Sequence, residues 1–280
     1  MLFLRLTHNE LIKIFSKWRS YIGFAALAIL MPLIIWGISK GGSGMQQQVE
    51  RQLSDSFFIV GSLVNGFLAT HLVMNFLWIH IPFLVALVAG DVVAGEGGAG
   101  TFRIYLTRPI SRTRILNTKL AATAIYTILL IIFFALMSLG LGRIWLGGGD
   151  LLIMHNGILL LPESAAWARF GLAFLFATGT MLVVAALTFM FSTMVNNGIG
   201  PIIGAMAIVI IGLAISNIPI SIFEQIQPYL FTSYFDIWQQ AFYDPIPWGE
   251  IGKGFLLLGI YLAGFLGVSY AIFLRKDITS

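Results

Sequence analysis

Long apolar runs, separated by short polar stretches, divide the chain. Runs at about 21–38, 71–90, 120–141, 169–194, 199–217 and 251–274 each approach the ~20 residues that an α-helix needs to cross a ~30 Å hydrocarbon core. Six spans put both termini on one side. The apolar run over 57–89 is too long for one upright span, even with tilt. It divides into an outer piece at 57–70, re-entrant or interfacial, and a true span at 71–90. Ahead of the first span, 1–19 reads as an interfacial helix. Thr7-His8-Asn9-Glu10 has the form of a capping box, with Leu6 and Leu11 placed as a hydrophobic staple. Leu11, Ile12, Ile14, Phe15 and Trp18 then interleave with Lys13, Lys17 and Arg19, which suits a helix lying at a membrane surface. A signal peptide is the rival reading, but the apolar run that follows is long and lacks a convincing cleavage site. The stretches 39–56, 142–168 and 218–250 read as loops, the last holding Pro219, Pro228, Pro245 and Pro247. The expectation is an all-α membrane protein of six transmembrane helices in one domain over 1–280.

Composition agrees. Hydrophobic residues make up 58% and charged residues 10%, with a mean hydropathy of +0.92, against about 25% charged residues in soluble domains. No cysteine is present, which excludes a disulfide framework, a thiol nucleophile and a thiolate metal site. No stretch outside the apolar runs is long enough for a soluble domain, so an ATP-hydrolysing or catalytic domain belongs on another chain. The net charge of +4 is a matter of topology, not of nucleic acid. Eleven Lys and Arg fall on the side of the termini and five on the other, which puts both termini in the cytoplasm by the positive-inside rule. Trp36, Trp145, Trp167, Trp238 and Trp248 fall near the predicted outer ends, as interfacial anchors.

One polar segment, 90–120, stands apart between two spans. Arg103, Arg108, Arg112, Arg114 and Lys119 face only two acids, Asp91 and Glu96. Phe102, Ile104, Tyr105 and Leu106 follow a glycine-rich start, Pro109 breaks any helix, and Ser111 is placed as N-cap of a second helix that runs into the third span. A short helix at the membrane surface, hinged to a span, is a docking element for a soluble partner. Two roles stand open for Glu96: pairing with a nearby arginine, or capping a helix that begins near Gly100. The bland account of the arginines is charge for topology alone, which requires neither the Glu-Gly-Thr nor the Arg-Pro spacing.

On Glu96, Gly100-Thr101, Tyr105-Leu106, Arg108-Pro109, Ser111-Arg112 and Lys119, the chain resembles the permease subunits of type-2 ABC transporters (the ABC-2 family), the exporter-like class. The resemblance extends over the topology as well: an interfacial helix, six spans and a basic ending. It implies that the 91–119 loop holds a coupling helix seated in a cleft of a cognate ATPase, with Glu96, Gly100, Thr101, Leu106, Arg108, Pro109, Ser111, Arg112 and Lys119 as the coupling residues. It further implies two copies of a separate ABC ATPase carrying ATP and Mg, and a second permease chain, identical or homologous. It places the protein in the cytoplasmic (inner) membrane, in contact with lipid and without nucleic acid. The chain itself is then no enzyme, with no catalytic residue, cofactor or metal. The alternative is a non-transporting membrane scaffold that recruits a soluble complex through the same loop.

Other motifs carry less. Gly95-x-Gly97-x-x-Gly100 matches a dinucleotide fingerprint but has no strand before it and no βαβ unit around it. Gly41-Gly42-Ser43-Gly44 matches a short intramembrane-protease motif without a histidine in the later spans, and reads as a flexible turn. Asn65, His71, Asn75 and His80 read as interhelical hydrogen-bonding groups before pathway groups. His71 and His80 fall on opposite faces of one helix, unsuited to sharing a metal. Gly200-x-x-x-Gly204 suits close packing within the chain. The scarcity of charge in the spans argues against an ion-coupled transporter and points to a lipid, hydrophobic drug, peptide or glycolipid as cargo.

Overall fold

The computed structural model describes residues 2–53, 64–98, 110–154 and 157–276, with 43 and 45–53 described by backbone alone. The helices are α1 (Leu2–Ser16), α2 (Arg19–Leu53), α3 (Gly66–Leu77), α4 (Ile81–Ala89), α5 (Asp91–Gly98), α6 (Arg112–Leu146), α7 (Glu163–Met194), α8 (Gly200–Asn217), α9 (Ser221–Ile226) and α10 (Trp248–Arg275). Two 3-10 segments, Gln227–Tyr229 and Phe231–Phe242, follow α9. One antiparallel hairpin, β1 (Leu151–Met154) with β2 (Ile158–Leu161), sets Leu151 opposite Leu161. Among the described residues, six helical stretches are long and apolar enough to cross a membrane. The chain is an all-α membrane protein, because a helix satisfies its own backbone in lipid.

Several helices run past their predicted limits. α2 does not stop at 38 but continues through Gly41-Gly42-Ser43-Gly44 to Leu53, so 39–53 is helix and not a loop, and the glycine cluster is not a turn. Met, Gln, Glu and Arg are good helix formers, and a helical glycine costs only about 1 kcal/mol against alanine. α1 likewise starts at Leu2, and Thr7 sits inside it on the buried face with Glu10 and Ile14. The predicted capping box is therefore no cap. α6 and α7 extend to Arg112 and Glu163 at their starts.

The second span is jointed. It begins at Gly66, so 66–70 belong to it and not to a separate outer piece, while 54–63 lie outside the described residues. Pro82, in the first turn of α4, has no N–H for the ladder, and the helix breaks over 78–80. Gly90 separates α4 from α5 at a point where a Cβ would come within 2.8 Å of Ile202. The break leaves His80 stacked on Phe76, and His71 against Trp238 and Phe242. Asn65 caps α3 through the N–H groups of Phe67 and Leu68 and donates to the Asp150 carbonyl. Asn75 accepts from Gln239. Both asparagines thus tie elements together, as expected.

α7 is the centre of the bundle. In its apolar stretch 67% of residues are buried, against 22% in the first span and 11% in the last, whose outer faces are left for lipid. Gly204 packs on Phe191 of the same chain. The segments 142–168 and 218–250, read as loops, carry the hairpin and the 3-10 helices instead. Phe231, Phe235, Trp238 and Phe242 recur at spacings of three and four and are all buried. Trp238, expected as an interfacial anchor, is fully buried, whereas Trp36, Trp145, Trp167 and Trp248 are exposed. Aromatic spacing outweighed the prolines because these rings bury more area than any other side chains.

At the other end, the starts of α6 and α8 gather with the ends of α5, α7 and α10. Arg112 donates to the carbonyls of Leu274 and Lys276. Lys276 donates to those of Thr193 and Val195 and to Asn196 Oδ1. Cations placed on helix C-terminal carbonyls satisfy groups that have no partner within their own helix. α1 packs on α6 at this same end, so both chain ends and the central segment share it.

Candidate functional site

The helical period puts Glu10 on the inward face of α1, where it meets Lys119 of α6. The Lys119 side chain is 0% exposed. Its Nζ lies 2.8 Å from Glu10 Oε2, 2.7 Å from Glu96 Oε2 and 3.1 Å from the Val92 carbonyl oxygen. An ammonium has three N–H donors, and three oxygens surround it. Lys13 lies one turn beyond Glu10 and reaches Glu10 Oε1 at 2.9 Å and Glu96 Oε1 at 3.0 Å. Two carboxylates and two ammonium groups from α1, α5 and α6 therefore cancel. Such pairing is required, since desolvating a lone ion costs several kcal/mol.

For Glu10 and Lys13, the opposite charges around them favour the ionised form. Burial acts to raise the Glu10 pKa, but Lys119 and Lys13 together outweigh it and hold the carboxyl below the usual value. Burial acts to lower the Lys13 pKa, and Glu10 and Glu96 outweigh it in turn, leaving the amine above the usual value.

A second set of contacts fastens the start of α5. Asp91 accepts from Lys17 at 2.6 Å and has Arg19 at 3.7 Å. Ser192 Oγ of α7 donates to the Gly90 carbonyl and accepts from the N–H groups of Val93 and Ala94. At the end of α5, a Cβ on Gly98 would come within 2.5 Å of the Asn196 carbonyl oxygen. Gly97 and Gly98 thus permit close approach to Asn196 in the turn after α7, which is a packing requirement. The gap left among Glu10, Lys13, Lys17, Asp91 and Glu96 is about 20 Å³, room for a single water. The cluster is a joint between helices and not a ligand pocket. Among the described residues, no three His, Asp or Glu side chains are grouped to hold a metal.

Of the residues singled out from the sequence, Glu96 and Lys119 meet in this cluster. Glu96 pairs with two lysines, an outcome neither of its two open roles included. Ser111 stands at the N-cap of α6 without a side-chain cap bond, its Oγ accepting instead from Thr113. Arg112 is engaged with the end of α10, away from the cluster. Gly100, Thr101, Leu106, Arg108 and Pro109 lie outside the described residues. Sequence reasoning missed Glu10, Lys13 and Asp91 as members. The available signal was the spacing of Glu10, Lys13 and Lys17, which share a helix face, and the position of Lys119 at the start of an apolar run.

The model of the family described as "Protein of unknown function (DUF2705)" matches residues 53–279. That stretch includes Glu96 and Lys119, while Glu10 and Lys13 precede it. The chain is also similar to "Uncharacterized protein YhcI" of Bacillus subtilis (strain 168), with 22% identity over 315 aligned positions that cover 99% of this chain and 100% of the relative.

Proposed function

We propose that this chain, which belongs to the DUF2705 family, is the membrane subunit of an ATP-driven exporter of the ABC-2 kind. It couples to two separate ATPase chains through the 91–119 segment and encloses a path with a second permease chain. The observation that carries this reading is the buried cluster of Glu10, Lys13, Glu96 and Lys119. It ties the helices on both sides of the segment to one another and to α1, so that a push on the segment moves α1, α5 and α6 as one unit. α6 continues from Lys119 to Leu146 across the bundle, a length of lever suited to carrying that push to the far side. ATP binding to the partner supplies the state-dependent interaction that any such change requires. In this reading the chain lies in the cytoplasmic membrane, both termini and the 91–119 segment face the cytoplasm, and hydrolysis with its ATP and Mg takes place on the partner. The cargo is apolar or amphipathic.

The test is purification of the tagged chain from its native membrane in mild detergent, followed by identification of what accompanies it. An ATPase with a glycine-rich phosphate loop is expected in equal amount, and Arg108→Glu is expected to release it. Recovery of the chain alone, or with a partner that lacks a nucleotide-binding loop, would overturn the transporter reading in favour of the scaffold.

A further inference from the structure

Beside the joint at the end of α3, about level with the middle of α6, that helix, α8 and the segment Phe231–Phe242 enclose a cavity of about 170 Å³. Its floor is aromatic, made of Trp78, Phe235 and Trp238, all buried. The rim is polar and exposed at Asn75, Asn217 and Asp236. Trp78 Nε1 donates to the Phe235 carbonyl at 2.8 Å, and the rings of Trp78 and Trp238 lie 6.0 Å apart, so the floor is set before anything binds. Asp236 is the one charged residue among those lining the cavity. It makes no ion pair among the described residues. The indole N–H of Trp238 also has no hydrogen-bond partner among the described residues.

We propose that this cavity binds the ammonium headgroup of an amphipathic cation, with Asp236 as counter-charge and Trp78 and Trp238 as the aromatic wall. A carboxylate with no ion pair is stabilised by an incoming cation, and an aromatic ring attracts the same charge where it turns a face to it. Size restricts the ligand further. Cavities that enclose a drug-sized molecule hold roughly 300–1,000 Å³, so this one takes a headgroup and leaves the hydrocarbon tail outside. Ile79 at the rim is 52% exposed, and Phe76, one turn away on α3, is 67% exposed; together they provide an apolar track for that tail. The site is built within one chain and is independent of any ATPase.

Octyltrimethylammonium is the probe, titrated into the full chain purified in maltoside detergent, with tryptophan emission as readout and octanol as the uncharged control. Saturable binding of the cation is expected, weakened on the order of tenfold by Asp236→Asn, the loss of one partly solvated charge partner. Glu224→Gln, which removes a carboxylate from the exposed face of α9, is expected to leave it unchanged. Ile79→Trp, which fills the rim, is expected to abolish it. Equal binding by the wild type and Asp236→Asn, or octanol binding as tightly as the cation, would overturn the proposal. Octylphosphocholine separates the sources of the headgroup. Competition by it identifies a zwitterionic membrane lipid as occupant, and cation binding without such competition identifies a free amphiphile.

Discussion

Lys119 has no contact with solvent, so its charge is held by its acceptors alone. Lys119→Met would remove the buried one of the two cations that bridge the carboxylates of Glu10 and Glu96. Removing one partner from a buried ionic group destabilises by about 3–5 kcal/mol, and the drop is expected in the thermal unfolding midpoint of the purified protein. Adding Glu96→Gln to Lys119→Met is expected to recover part of it, since the two positions share one network. The cluster also sets a pH window. Glu10 is depressed below its usual 4.5, so its contribution is complete above that value and is lost as pH falls through the lower, folded-state pKa. Lys13 is raised above its usual 10.5, so its contribution is complete below that value and is lost as pH rises through the higher, folded-state pKa. The contribution of this pair is expected to be flat between these limits and to fall outside them, so the difference in unfolding midpoint between the wild type and Glu10→Gln is expected to shrink as pH falls below the usual carboxyl range. Glu10 was legible as a polar residue near a helix start. Its role was not, because the lysine it meets lies 109 positions away.

At the scale of elements, small residues decide which helices touch. Gly66 of α3 and Gly142 of α6 meet backbone to backbone, and a Cβ on Gly66 would come within 2.5 Å of the Gly142 carbonyl carbon. Gly66→Ala therefore has to push the helices apart, at a cost of roughly 1–3 kcal/mol. Gly140→Ala, two residues along α6, meets nothing within 4 Å and is expected to be neutral or slightly stabilising through helix propensity. Chemical unfolding of the two variants side by side checks the contrast. The jointed second span follows the same logic. Pro82 went unread in the sequence because the apolar run across it is continuous, so hydropathy alone returned one span with an uncertain start.

For the molecule as a whole, the two ends differ in kind. One gathers both chain ends and the charge cluster; the other carries the hairpin, and the aromatic cavity lies between them. The absence of cysteine makes the arrangement directly measurable with single introduced thiols. In the orientation proposed above, His8→Cys and Arg114→Cys, both at exposed positions, are expected to react with a membrane-impermeant maleimide from the cytoplasmic side alone. Lys40→Cys and Ile158→Cys, exposed near the other end, are expected to react from the opposite side alone. All four reacting from one face would contradict the topology.

The sequence by itself determined that the chain is helical, that it crosses the membrane six times and that its basic residues concentrate at one end. Those properties are local: lipid offers no hydrogen bonds to the backbone, so each apolar run must satisfy its own, and length and hydropathy report it. Tertiary structure alone decided that Glu10, Lys13, Glu96 and Lys119 share one buried site, and that the proline-rich 218–250 segment turns Phe231, Phe235, Trp238 and Phe242 inward. It also decided that Asp236 stands at the rim of an aromatic cavity. Charge pairing and ring packing depend on distance in space, and no spacing along the chain encodes which distant helix lies within reach.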